Sequence, residues 1–227
     1  MGYEQVDGAH KFSQRQKTEE VALEERATPR FTLLIRTAKL ILNKAEYLCV
    51  IRDVSAEGVS VRLFHPIPIE THHAELVLEL QTGESHPVTS IWQKAGEAGF
   101  RFMTPVDVEQ VIRRSSRFPK RELRFAAQLP VTVLVFGEKY PALLHNISQQ
   151  GAMIETADRL LIAQTIRIES KGLPNIEAKV LWRKGEHYGL IFDTTFRLHD
   201  LAGIVHALQA PETGKVTPAE AGQTLAT

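Results

Sequence analysis

Asp53-Val54-Ser55-Ala56-Glu57-Gly58 occurs a second time as Asn146-Ile147-Ser148-Gln149-Gln150-Gly151. Each copy holds an acid or its amide, then Ser, then Gly at one spacing, and basic residues precede each. The match extends downstream: Ile91-Trp92-Gln93-Lys94-Ala95-Gly96-Glu97-Ala98-Gly99-Phe100-Arg101-Phe102 aligns without a gap with Leu181-Trp182-Arg183-Lys184-Gly185-Glu186-His187-Tyr188-Gly189-Leu190-Ile191-Phe192. Upstream, Arg30-Phe31 aligns with Arg124-Phe125. A repeat of about ninety residues means that one supersecondary unit was duplicated, so the chain reads as two similar domains.

Around the motif the texture is that of strands. In the first copy they are expected at 31–42, 47–54, 59–64, 75–81, 86–93 and 98–103. Leu76, Leu78 and Leu80 alternate with mostly charged or polar neighbours, the period-two pattern of a half-buried strand. A helix is expected over 106–116, with Val108, Val111 and Ile112 apolar and Pro105 placed before its start. The second copy repeats the order with strands at 125–136, 140–147, 152–155, 165–169, 176–182 and 188–192. A helix over 198–208 follows, with Leu201, Ile204, Val205 and Leu208 on one stripe. Several short strands and one terminal helix per copy predict an all-β fold with short helices, each domain a small closed barrel without exposed edges. The expected organisation is a flexible arm over 1–20, domains at 21–116 and 117–209, and a disordered tail over 210–227 rich in Pro, Gly, Thr and Ala.

Bulk composition narrows the function. The 227 residues carry 27 Lys plus Arg against 27 Asp plus Glu, so no bulk attraction to nucleic acid or an anionic membrane is expected. Anion binding must come from a local cluster. The single cysteine, Cys49, cannot form an intramolecular disulfide and is expected as a small buried hydrophobe in a strand. The polar stretch 1–16 has no signal-peptide core, and no apolar run approaches the roughly 20 residues of a membrane span. A cytoplasmic location is the expectation.

The local cluster is Arg26-Ala27-Thr28-Pro29-Arg30, two arginines four residues apart just before the first strand. Together with Asp53-to-Gly58 it resembles the PilZ domain, whose two signature motifs are RxxxR and [D/N]xSxxG. The resemblance covers nearly the whole chain as two tandem domains. It implies six-stranded antiparallel barrels, each followed by a C-terminal helix, that bind the bacterial second messenger cyclic di-GMP. On this chain it implies that Arg26 and Arg30 grip phosphates and stack on guanine, that Asp53 and Ser55 meet guanine edges and the sugar-phosphate, and that Gly58 keeps the turn compact. The chemistry agrees: a guanidinium is a planar fork of five donors that also stacks on a base. Charge-assisted hydrogen bonds are worth roughly 1.5–3 kcal/mol each, against the roughly 8 kcal/mol of micromolar affinity.

The second copy departs from the pattern. Arg124 fits the second arginine, but Lys120 stands four before it and Arg121 only three before. Asn146, Ser148 and Gly151 fit the other motif. Lys120, Arg121, Arg124, Asn146, Ser148 and Gly151 therefore form a weaker site, and a structural or partner-binding role is preferred there. In place of the extra arginine that many family members have before RxxxR, this chain has Glu25, so one ligand per site is expected.

Other function classes fit less well. His72-His73 is the close histidine pair in sequence, without the spacing or cysteine partners of a zinc site. No phosphate loop, nucleophile elbow or catalytic Cys–His pairing is legible, so no catalytic residue, metal ligand or cofactor is assigned, and an enzyme is not expected. Trp92 and Trp182 are expected in the core rather than on a docking surface. Aromatic content of 7% and the zero net charge argue against DNA or RNA as partner. The expectation is a receptor for cyclic di-GMP acting mainly through the first domain, with a downstream protein partner. The alternative is an interaction adaptor that has lost nucleotide binding.

Overall fold

The computed structural model of the chain describes residues 31–69, 74–112 and 122–209. Its described residues divide into two compact units, one holding those of 31–43 and 48–112, the other those of 44–47 and 122–209.

The first unit is a closed barrel of six strands: β1 (Phe31–Leu42), β2 (Ala45–Val54), β3 (Gly58–Leu63), β4 (Glu75–Leu80), β5 (Ser85–Lys94) and β6 (Glu97–Phe102). They follow the order β1-β2-β3-β6-β5-β4, and β4 closes on β1 with Leu40 opposite Leu78. Neighbouring strands run antiparallel. Alternation dictates the two sides: Leu76, Leu78 and Leu80 are buried inside, and so are Val59, Val61 and Leu63 on β3. Cys49 is fully buried, its Sγ donating to the Ala38 carbonyl at 3.4 Å, as expected of a small core residue. A short helix, α1 (Val108–Ile112), follows. Its cap is Asp107, whose Oδ1 accepts from the Glu109 N–H at 2.9 Å. The helix thus starts two residues later than expected, because a capping carboxylate and not Pro105 sets its first turn. The remainder of the expected helix, 113–116, lies outside the described residues.

The second unit repeats the barrel with β7 (Phe125–Val135), β8 (Glu138–Ile147), β9 (Gly151–Glu155), β10 (Thr165–Glu169), β11 (Ile176–Lys184) and β12 (His187–Phe192), closed in the order β10-β11-β12-β9-β8-β7. Ile147, Ile154, Ile166, Ile168 and Tyr188 fill its interior. The buried Tyr188 hydroxyl donates to the Asp158 carbonyl at 3.0 Å and accepts from the Leu160 N–H at 3.4 Å, which removes the cost of burying it. The helix α2 (Leu198–Gln209) packs on β7 through Leu201, Ala202, Ile204 and Val205. The expected arm and tail, like His72-His73, lie outside the described residues, and among those described no helix is long and apolar enough to cross a membrane.

Candidate functional site

The motif begins at a bulge. On β2 the register against β3 shifts between Ile51 and Asp53, and on β8 the register against β9 shifts between Leu144 and Asn146. Ile51 and Leu144 point into their barrels. A strict period of two would bury Asp53 and Asn146 as well. The extra residue, Arg52 or His145, turns them to the outside instead.

Beyond the bulge the turn is built by Ser and Gly. The Gly58 N–H donates to Ser55 Oγ at 3.1 Å, and the Ser55 N–H to the Gly58 carbonyl at 2.8 Å. The second copy has the same pair, Gly151 N–H to Ser148 Oγ at 3.2 Å and Ser148 N–H to Gly151 carbonyl at 2.8 Å. Both serines are buried. The glycine is required by a close approach: a Cβ on Gly58 would lie 2.9 Å from the Phe100 carbonyl oxygen, and one on Gly151 would lie 2.2 Å from that of Leu190.

The two unspecified positions contribute backbone. The Ala56 carbonyl accepts from Val106 N–H and the Glu57 carbonyl from Phe102 N–H, both at 2.8 Å. In the second copy Gln149 and Gln150 accept likewise from Phe196 and Phe192. The carbonyl role places no demand on the side chain, and the Gln149 amide adds a bond of its own, Nε2 donating to the Phe196 carbonyl at 3.0 Å. The carbonyl bonds also pin the segment leading to each helix onto the turn.

Register carries the outward row across three further strands. In the first barrel Asp53 lies opposite Ser60, Ser60 opposite Gly99, and Gly99 opposite Trp92. Ser60 Oγ donates to Asp53 Oδ2 at 3.0 Å, which holds the carboxylate at the surface. Trp92 lies flat on Gly99, where a Cβ would come within 2.1 Å of the indole Nε1. The expectation of a core Trp92 is corrected: it is 41% exposed. The cause is another bulge, between Ser90 and Trp92, which reverses the side that the buried Val88 and Ser90 would give it. Trp182 repeats this, half-buried on Gly189 after a bulge that follows the buried Val180.

Flanking rows complete the first face. Arg101 pairs with Gly58 on one side of the Asp53 row, Arg62 with Glu97 on the other, and Arg52 occupies the bulge. All three arginines are exposed. Around the Asp53 carboxylate and the Trp92 indole the barrel therefore sets three exposed guanidiniums, with Glu97 opposite Arg62, a surface whose chemistry suits phosphate groups and a planar ring. Sequence reading missed Arg52, Ser60, Arg62 and Arg101, since only strand pairing brings them to Asp53. Arg26 and Arg30, the arginines singled out in the sequence, lie outside the described residues.

The second face keeps Gly151, Gly189 and Trp182 but differs at the polar positions. Asn146 replaces Asp53, Met153 replaces Ser60 and Ile191 replaces Arg101, while His145, Glu155 and His187 stand at the positions of Arg52, Arg62 and Glu97. Arg124 is exposed just before β7, whose Phe125 pairs with Ile147 within the motif. Lys120 and Arg121 lie outside the described residues.

The family model described as PilZ domain matches residues 111–210, which span the second barrel and its helix. No curated protein matches the chain. Among solved structures, Borreliella burgdorferi PlzA in complex with c-di-GMP is 12% identical, over 86% of this chain and 98% of that one, with a TM-score of 0.33. The Bacillus subtilis inhibitor of motility, MotI/DgrA, is 16% identical over 77% of this chain and 96% of that one, at a TM-score of 0.32. Escherichia coli YcgR in complex with c-di-GMP is 14% identical over 69% and 75%, at 0.26.

Proposed function

We propose that the chain is a non-catalytic receptor for cyclic di-GMP whose first barrel carries the working site. The observation that supports this best is the contrast between two outer faces on one scaffold. The first gathers Arg52, Arg62 and Arg101 around Asp53, whereas the second sets apolar Met153 and Ile191 beside Asn146. A ligand with two phosphates and two guanines calls for the first set of groups.

In this reading Arg26 and Arg30 reach the ligand from the segment before β1. Asp53 accepts from a guanine edge, and Ser55 and Gly58 shape the turn beneath it. Ligand contact orders the arginine-bearing segment and, through it, changes the disposition of the two domains, which relays the signal to a partner protein.

Isothermal titration of cyclic di-GMP into the intact chain tests the reading, run beside the Arg26→Ala/Arg30→Ala double variant. Micromolar binding that the double variant lacks is expected. Equal affinity in both would remove the arginines from the site, and absence of heat at high micromolar ligand, confirmed by a second binding assay, would overturn the receptor reading. The adaptor reading would then stand, favoured by the exposed Phe136, Leu161, Ile162 and Leu181 of the second barrel.

A further inference from the structure

The row that separates the two barrels most sharply is the one at the bulge. In the second barrel it consists of His145 on β8, Glu155 on β9 and His187 on β12, adjacent strands whose pairing sets His187 directly opposite Glu155. Their ligating atoms all lie within 4.8 Å of one another. Glu155 Oε2 is 2.5 Å from His145 Nε2 and 4.0 Å from His187 Nε2, and the two imidazole centroids are 5.4 Å apart. Two imidazoles and one carboxylate, with a fourth position open to water, form a donor set that zinc takes in tetrahedral sites. Metal–ligand distances of about 2.0–2.2 Å put tetrahedral ligand atoms roughly 3.3 Å apart. The observed 2.5 and 4.0 Å bracket that spacing, so small side-chain rotations suffice to admit an ion.

We propose that the second barrel binds one zinc-type divalent cation through His145, Glu155 and His187. All three side chains are part-exposed, so an ion reaches them from solvent, and water fills the remaining position. The far side of the His145 ring supports the assignment: Nδ1 lies 3.4 Å from the Gln128 amide, which rotates to accept the Nδ1 proton once Nε2 is ligated. The first barrel is the internal control. Its equivalent positions are Arg52, Arg62 and Glu97, and a guanidinium, always protonated, cannot ligate. A bound cation would also place positive charge on the second face, where the first carries arginines.

The test uses the full-length chain without an affinity tag, freed of metal by a chelator. Zn2+ is titrated against a chromophoric competitor, and Co2+ is added separately to read the visible d–d bands of a low-coordinate site. One Zn2+ per chain and cobalt bands in the visible are expected. His187→Ala and Glu155→Gln, both at part-exposed positions, should each weaken Zn2+ binding by about tenfold or more and collapse the cobalt bands. His72→Ala/His73→Ala should change neither. Unchanged binding in His187→Ala and Glu155→Gln, loss in the His72/His73 variant instead, or no stoichiometric Zn2+ uptake would each overturn the site. In the last case the cluster is a histidine–carboxylate hydrogen bond alone. None of these outcomes depends on cyclic di-GMP.

Discussion

Gly58 and Gly151 are the residues on which each motif turn closes. A methyl group at either meets a backbone carbonyl, which cannot swing aside as a side chain would. Gly151→Ala, with the closer approach, should cost about 3 kcal/mol, and Gly58→Ala about 1 kcal/mol, read from the midpoints of urea unfolding. Ser148→Ala leaves the Gly151 N–H without its side-chain acceptor and should cost about 1 kcal/mol. Cys49 makes a chemical prediction. Burial pushes its thiol far above the ordinary 9.0, so the folded protein should not react with a disulfide reagent at neutral pH and the unfolded chain should. The sign for stability follows from the same shift. Above pH 9 the unfolded chain sheds the thiol proton while the folded one retains it. This contribution is therefore complete below that pH and falls as pH rises beyond it. Stability measured from pH 8 to 10 should decline, and replacing Cys49 by Ala should flatten that part of the decline.

At the scale of the strand, the bulges shape the outer faces, because each moves one side chain from the interior to the outside. Gly99→Ala and Gly189→Ala should each expel one indole from its seat and cost about 1–3 kcal/mol. With two tryptophans in the chain, each variant should shift about half of the fluorescence to the red and open it to an aqueous quencher. The strands themselves were legible in the sequence, since Leu76, Leu78 and Leu80, or Ile166 and Ile168, alternate as a half-buried strand must. β10 falls where that pattern sets it, β1 where the strand-like composition does, and the start of α2 where the helical stripe of Leu201, Ile204 and Val205 does. A bulge adds one residue and no compositional signal, so the outward turn of Trp92 and Trp182 was not legible. Asp53 and Ser55 were found because they are contiguous. Ser60, Arg62 and Arg101 reach Asp53 by pairing alone. His145, Glu155 and His187 are likewise scattered along the chain and neighbours only in the closed sheet.

For the molecule as a whole, duplication left two barrels alike inside and unlike outside. Titration of cyclic di-GMP should therefore give one ligand per chain. Arg62→Ala and Arg101→Ala should each lower affinity about tenfold or more, as loss of a charge-assisted hydrogen bond does. Changes at the matching Glu155 and Ile191 should leave it unaltered. Two ligands per chain would mean that the second face binds despite Met153 and Ile191, or that the first accepts a stacked ligand pair. The backbone role of the motif's middle positions has a practical consequence. Glu57 is exposed, lends only its carbonyl to the fold and stands next to the arginine face, while the chain's one native thiol is sealed in the core. A fluorophore attached through Glu57→Cys would therefore label a single place. It would sit beside the arginine face without disturbing the turn, and a nucleotide arriving there would be reported optically.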